Sequence, residues 1–318
     1  MRRIIKYTIL VVVILVAIFV IQNYPISSDA KSLARLADTA NIRRNLESII
    51  NTPQYRNYKN VTVLDTVAAR IKKEFQRYTN RVYTQHYKVN ENGYQNVIAS
   101  FGPGDGKRII VGAHYDVCGD QDGADDNASG VAGILELARL LKDQPLKYRI
   151  DLVAWSLEEP PFFHTRNMGS YIHAKSLHDS NVAVKGMISL EMIGYFSDKE
   201  NSQSYPVGIM KWFYGDKGNF ITIVQKSFRG EFAKEFKELS FKNNSIDIRS
   251  IRAPWYLVGN NSDQINYWKF GYSAVMVTNT AYFRDHNYHT NADKLNLLDI
   301  SKMALVIDGV FRALVQLE

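Results

Sequence analysis

The sequence predicts an α/β fold in which a largely parallel sheet is covered by helices on both faces. Three observations carry this. From residue 107 onward, apolar stretches of strand length alternate with stretches of helical period. The strand segments are continuous apolar runs, as strands buried on both faces require. With 318 residues, 46% of them hydrophobic, the chain can bury a full core.

Taken in order, residues 1–28 read as an N-terminal anchor. "MRRIIKYTILVVVILVAIFVIQNYP" sets Arg2, Arg3 and Lys6 before an apolar run from Ile9 to Ile21. Counted from Ile4, the run is long enough to nearly cross a hydrocarbon core of roughly 30 Å at about 1.5 Å per residue. Positive charge before the run predicts a cytoplasmic N-terminus and an exported remainder. A cleaved signal peptide is the alternative, but no small-x-small site ends the run. Either reading puts residues 29–318 outside the cytoplasm, on the periplasmic or extracellular side, and cleavage would make them secreted.

Residues 29–80 read as a helical lead-in, with Val63, Leu64, Val67, Ile71 and Phe75 near a 3.6 period. The α/β core is expected over 81–318. Strands are predicted at "RVYTQHYKV", "YQNVIASF" and, after the turn "GPGDG", at "KRIIVGAH". "SGVAGILELARLLKD" follows as a helix with Ser129 as its N-cap. Then come a strand at "YRIDLVAWS", a helix at "NMGSYIHAKSLHD", strands at "VKGMISLEMIG" and "YSAVMVTN", and an amphipathic terminal helix from Asp299.

Composition excludes several classes. Charged residues make up 22% and no low-complexity tract occurs, so the chain is not generally disordered. The net charge of +7 has no cluster of basic and aromatic residues on one element, which argues against nucleic-acid binding. Cys118 is the single cysteine, so no intrachain disulfide or thiolate cluster can form.

The strand ends carry the chemistry. His114 ends one strand with Asp116 beyond it, Glu158 and Glu159 follow the next, and Glu191 ends a third. The last strand leads to His286 and His289, and Asp125–Asp126 sit in the loop before the helix at 129. In a parallel sheet these ends face one way and converge. Such a cluster repels itself unless a cation sits within it. Imidazole and carboxylate donors suit zinc, with manganese or cobalt as alternatives. A metal pair needs a bridging carboxylate, for which the loop Asp is the candidate.

The segments His-x-Asp, "GADDNASG", Glu-Glu, Leu-Glu and His-Thr, in this order, resemble the zinc aminopeptidases of metallopeptidase family 28. That group includes secreted bacterial leucyl aminopeptidases and is related to glutaminyl cyclases. The resemblance covers roughly residues 85–318. It implies a zinc aminopeptidase/phosphorylase-hydrolase-like fold with a mixed central sheet, two zinc ions, and peptide substrates with a free N-terminus. His114 and Glu191 would hold one metal, Glu159 and His289 the other, and Asp126 would bridge them. Many members have Asp where this chain has Glu191. Asp116 would hold the His114 ring by its other nitrogen, as metal-bound histidines commonly require. Glu158 would move the proton from water to the leaving amine. The resemblance also implies a cis peptide between Asp126 and Asn127. Ser262 and Asp263 resemble a step lining the substrate side, against a plain helix N-cap by Ser262.

His173 and His178 read as surface histidines. Aromatics in "FYGDKGNF" and "APWYLVGN" are expected to pack in the core or wall a specificity pocket. Glutaminyl cyclases carry tryptophan before the last histidine, where this chain has Tyr288, and they lack "DDNASG". A membrane-anchored binding protein without activity is the remaining alternative.

Overall fold

The computed structural model describes residues 7, 8, 10, 14, 17, 21, 23–226, 230–253 and 262–318. The run read as an anchor lies largely outside these, as do the aromatics of "APWYLVGN". Among the described residues no helix is long and apolar enough to cross a membrane.

A nine-stranded sheet forms the centre. Its strands are β1 (Ser27–Ser28), β2 (Val82–Val89), β3 (Asn92–Phe101), β4 (Arg108–His114), β5 (Arg149–Trp155), β6 (Val184–Glu191), β7 (Ile221–Lys226), β8 (Ile248–Ala253) and β9 (Ala274–Thr278). Their order across the sheet is β1-β8-β7-β9-β6-β4-β5-β3-β2. The middle strands β5, β4, β6 and β9 run parallel. The flanks join antiparallel, β3 to β5 and β7 to β9, so the sheet is mixed.

The sheet's edge strand β1 pairs with β8, and Asn23 donates to the Arg252 carbonyl. The folded unit therefore begins before residue 29, inside the segment read as anchor.

Both faces are covered. On β4, Ile109, Val111 and Ala113 join the larger core, and Ile110 joins a smaller one. The larger core is closed by α1 (Thr39–Ile50), α2 (Val61–Phe75), α3 (Gly130–Leu141) and, after the short helix α5 (Met210–Tyr214), by α6 (Glu231–Lys242) and α8 (Ile300–Val315). The smaller lies under α4 (Gly169–Asp179) and α7 (Gln264–Lys269). Helix α2 buries the apolar stripe expected of it, Val63, Leu64, Val67, Ile71 and Phe75.

The lead-in is sutured to the core rather than appended. Asp38 caps α1 through Ala40 and Asn41. The buried Asp308 on α8 accepts from the Leu36 and Ala37 amides, and Glu136 on α3 accepts from the Asp38 amide.

Two local expectations are corrected. Ser129 does not cap α3: its hydroxyl donates to the Asp125 carbonyl, and Asn127 Oδ1 takes the Gly130 amide instead. His173 is not on the surface. It is buried, with Nδ1 2.6 Å from the Tyr267 hydroxyl, whereas His178 is exposed.

Candidate metal centre

The parallel middle of the sheet delivers the site. β4, β5, β6 and β9 end at the same edge, and the loops leaving them carry the donors. Three of these positions hold left-handed backbone: Leu157 before the glutamate pair, Met192 after Glu191, and His289 itself, with φ of 60°, 51° and 57°. Non-glycine residues rarely adopt it; at Leu157 and Met192 it turns the chain just past β5 and β6, and at His289 it lies in the loop beyond β9.

His114 Nε2 lies 3.4 Å from Asp126 Oδ1, 3.5 Å from Glu191 Oε2 and 3.9 Å from Glu158 Oε2. His289 Nε2 lies 3.2 Å from Asp126 Oδ2 and 3.2 Å from Glu159 Oε2. The two oxygens of Asp126 thus face two separate imidazole–carboxylate sets. His286 is exposed and outside the cluster. Cys118 Sγ stands within 4.8 Å of donors from Glu159 and His289, a neighbour that residue order alone did not suggest.

The loop "GADDNASG" is built to hold Asp126. The Asp126–Asn127 peptide is cis, as expected. Asp293 accepts from the amides of Asp125 and Asp126 at 2.8 and 3.0 Å. Asp125 accepts from the Gly194 amide and from Asn279. Asn127 donates to the Leu190 carbonyl and to Glu191 Oε2, tying the loop to β6. The flanking glycines leave room for this: a Cβ on Gly123, at φ 55°, would sit 2.2 Å from the Asp126 carbonyl, and one on Gly130 would sit 2.4 Å from Asn127 Oδ1. Arg56, buried in the lead-in, donates to the carbonyls of Tyr115, Asp122 and Gly123.

Asp116 does more than support a histidine. Its carboxylate stands 3.5 Å from His114 Nδ1, and it accepts the backbone amides of both Glu158 and Glu159 at 3.1 Å. Ser262 donates to Glu191 Oε2 at 2.6 Å and does not cap α7. Asp263 lies wholly buried beside it, and burial pushes its carboxyl up to about 7. Tyr288 stacks on His289, with ring centroids 3.7 Å apart.

The donors fit a divalent metal of the zinc class. Asp126 Oδ2, Glu159 Oε1 and His289 Nε2 are buried without hydrogen-bond partners among the described residues. Oδ2 and Nε2 are 3.2 Å apart yet not aligned for a hydrogen bond, as when both aim at a shared point. Among the protein groups alone, the charges are strained. Burial drives Glu158 well above the carboxylate range, and burial with Asp126 raises Glu159 to about 8. Burial favours a neutral His289, but Asp126 and Glu159 outweigh it and hold its proton up to about 10.

Sequence reasoning missed Asp293, Asn127, Asn279 and Arg56. Asp293 had a signal, an acid four residues after His289 in "HTNAD". Arg56 had none, since its partners lie some sixty residues away.

A family model for Peptidase family M28 matches residues 96–314. A protein of Escherichia coli (strain K12), "Uncharacterized protein YfbL", is 37% identical over 323 residues, covering 99% of each chain. Among solved structures, the Legionella pneumophila LapA aminopeptidase is similar with a TM-score of 0.70 at 19% identity, covering 89% of this chain and 72% of that one. A Bacteroides thetaiotaomicron glutaminyl cyclase is similar with a TM-score of 0.67 at 16% identity, covering 90% and 100%. These two likenesses show the shared fold.

Proposed function

The chain belongs to peptidase family M28, and from that premise we propose that it is a two-zinc aminopeptidase with Glu158 as its base, removing the first residue of peptides that have a free N-terminus. The observation that carries this is the pair of donor sets on either side of Asp126, with Glu158 beside them. His114 and Glu191 would hold one zinc, His289 and Glu159 the second, and Asp126 both. When bound, zinc polarises a carbonyl oxygen and acidifies water.

The protein's own part is positioning and proton transfer. Asp116 clamps the Glu158 and Glu159 amides, so the two carboxylates hold fixed places although they are chain neighbours. Glu158, only 5% exposed, accepts the proton of the attacking water and passes it to the leaving amine. Burial raises its proton affinity, which suits an acceptor, and bound cations would lower that affinity enough to leave the carboxylate form available. Asn127 and Ser262 both donate to Glu191 Oε2 and so fix how Glu191 approaches the first metal. Tyr288 orients the His289 ring and faces the substrate cavity.

Location follows the same reading. Arg2, Arg3 and Lys6 before the apolar run support an anchored chain with its peptidase part exported, or a secreted one if the run is cleaved.

The test is a peptide panel with free, acetylated and glutamine N-termini, incubated with the zinc-loaded full chain and followed by mass spectrometry. Stepwise loss of single residues from free N-termini alone is expected. Loss of ammonia from the glutamine peptides alone would replace this reading with a cyclase. No change in any peptide, with zinc bound, would favour a binding protein.

A further inference from the structure

Beside the metal centre, the sheet face is the floor of a cavity of about 310 Å³. Two cross-strand rows make that floor. Glu191 on β6 pairs with Thr278 on β9, Thr278 with Thr222 on β7, and Thr222 with Arg249 on β8. Directly paired residues share a face, so these four form one polar row, and all of them line the cavity. Two residues along each strand, Met276, Val224 and Ile251 form a parallel apolar row that also lines it. The polar row therefore leads from a metal-ligand candidate to a guanidinium three strands away, about 14 Å at strand spacing.

Two groups in that row lack a partner that burial or charge calls for. Thr222 is 1% exposed, and its Oγ1 has no hydrogen-bond partner among the described residues. Arg249 reaches only the carbonyls of Tyr214 and Ile248, at 3.4 and 3.3 Å, and lies 5.2 Å over the Phe220 ring. No carboxylate among the described residues pairs with it, and the remaining residues contain no Asp or Glu. Asp216 is held by Lys211, and Asp247 by the Ala30 amide. The other polar groups nearby are engaged: Gln203 Oε1 accepts from Arg284, and Thr278 Oγ1 from the Thr280 amide.

We propose that this cavity receives a carboxylate carried by the substrate, bound by Arg249 and Thr222, with the Met276–Val224–Ile251 row covering the apolar stem that carries it. The inference rests on the aminopeptidase reading and names its substrate class. Less the reach of Arg249, the floor spans about two extended residues at roughly 3.5 Å each. Two sources have that chemistry: the side chain of an N-terminal glutamate, and the C-terminal carboxylate of a dipeptide.

The experiment uses the zinc-loaded full chain and separates the sources. One arm compares coumarin amides of leucine, methionine, glutamine and glutamate, none of which has a C-terminal carboxylate. The other compares the dipeptide Leu-Ala with its C-terminal amide. In one arm the carboxylate-bearing member is expected to lead its neutral partner by about tenfold or more in kcat/KM, mainly through KM. Arg249→Gln should bring that ratio near one, Arg249→Lys should recover part of it, and Thr222→Val should lower it severalfold. If Arg249→Gln does not fold, Thr222→Val carries the test. Equal hydrolysis of charged and neutral members in both arms, or an unchanged ratio in the variants, would overturn the carboxylate site and leave the aminopeptidase reading standing. Hydrolysis of none of the six would overturn both.

Discussion

Asp293 is the sharpest test of how Asp126, the proposed metal bridge, is held. Its two oxygens accept the amides of Asp125 and Asp126, and the group is 1% exposed. In Asp293→Ala both amides are left buried without acceptors. Hydrogen bonds to a charged group contribute about 1.5–3 kcal/mol each, so the loss should be about 3–6 kcal/mol. Asp293→Asn keeps one acceptor and turns an NH₂ toward the other amide, so roughly half of that loss is expected. Released from its clamp, Asp126 no longer presents Oδ1 and Oδ2 to the two histidines together. Zinc affinity should then fall about 10- to 100-fold, as when a residue supporting a metal ligand is removed. Urea unfolding of the chelator-treated protein reads the first quantity, and competition with a chromophoric chelator reads the second. Both variants matching the parent chain in midpoint and zinc affinity would refute the clamp.

Three further outcomes are expected. Glu158→Gln should bind zinc normally but lose turnover by about 10²–10⁴-fold, whereas Glu159→Ala should lose zinc from one site; near-normal turnover in Glu158→Gln would remove it as the base. Zinc affinity should rise with pH. Glu159 and His289 hold their protons to about 8 and about 10 among the protein groups alone, and metal binding must displace them. Each displaced proton adds about one decade of affinity per pH unit, so flat chelator competition from pH 6 to 8 would contradict the assignment. His173 tests the buried-histidine finding, because burial lowers its imidazole from 6.5 to about 4. The folded state then binds the proton less readily than the unfolded one. The stability linked to this group is full above pH 6.5 and is lost as pH falls toward 4, by about 3 kcal/mol at most. His173→Gln should therefore flatten the difference in urea midpoint between pH 7 and pH 4.5.

Much of the site was legible because strand direction converts residue order into place. Once continuous apolar runs imply parallel strands, His114, Glu158, Glu159 and Glu191 must emerge at one edge, whatever the packing around them. His289 was separable from His286 only by its Thr neighbour, and the fold brings His289 to Asp126 and leaves His286 exposed. The stretch 195–271 was nearly silent. Its strands β7 and β8 run parallel to each other but antiparallel to β9, so the alternation that marks strand–helix–strand units breaks down there.

By itself, then, the sequence determined the donor types, their order and the edge at which they gather, since each depends on local pattern and strand direction. Tertiary structure alone decided which donors face each oxygen of Asp126, that Asp116 clamps two backbone amides, that Ser262 serves Glu191 and that Arg249 lies in line with it. Those facts arise from pairings between segments far apart in the chain. A residue carries no local sign of the partner that folding will set beside it, because register and loop closure are settled by the packing of the whole sheet.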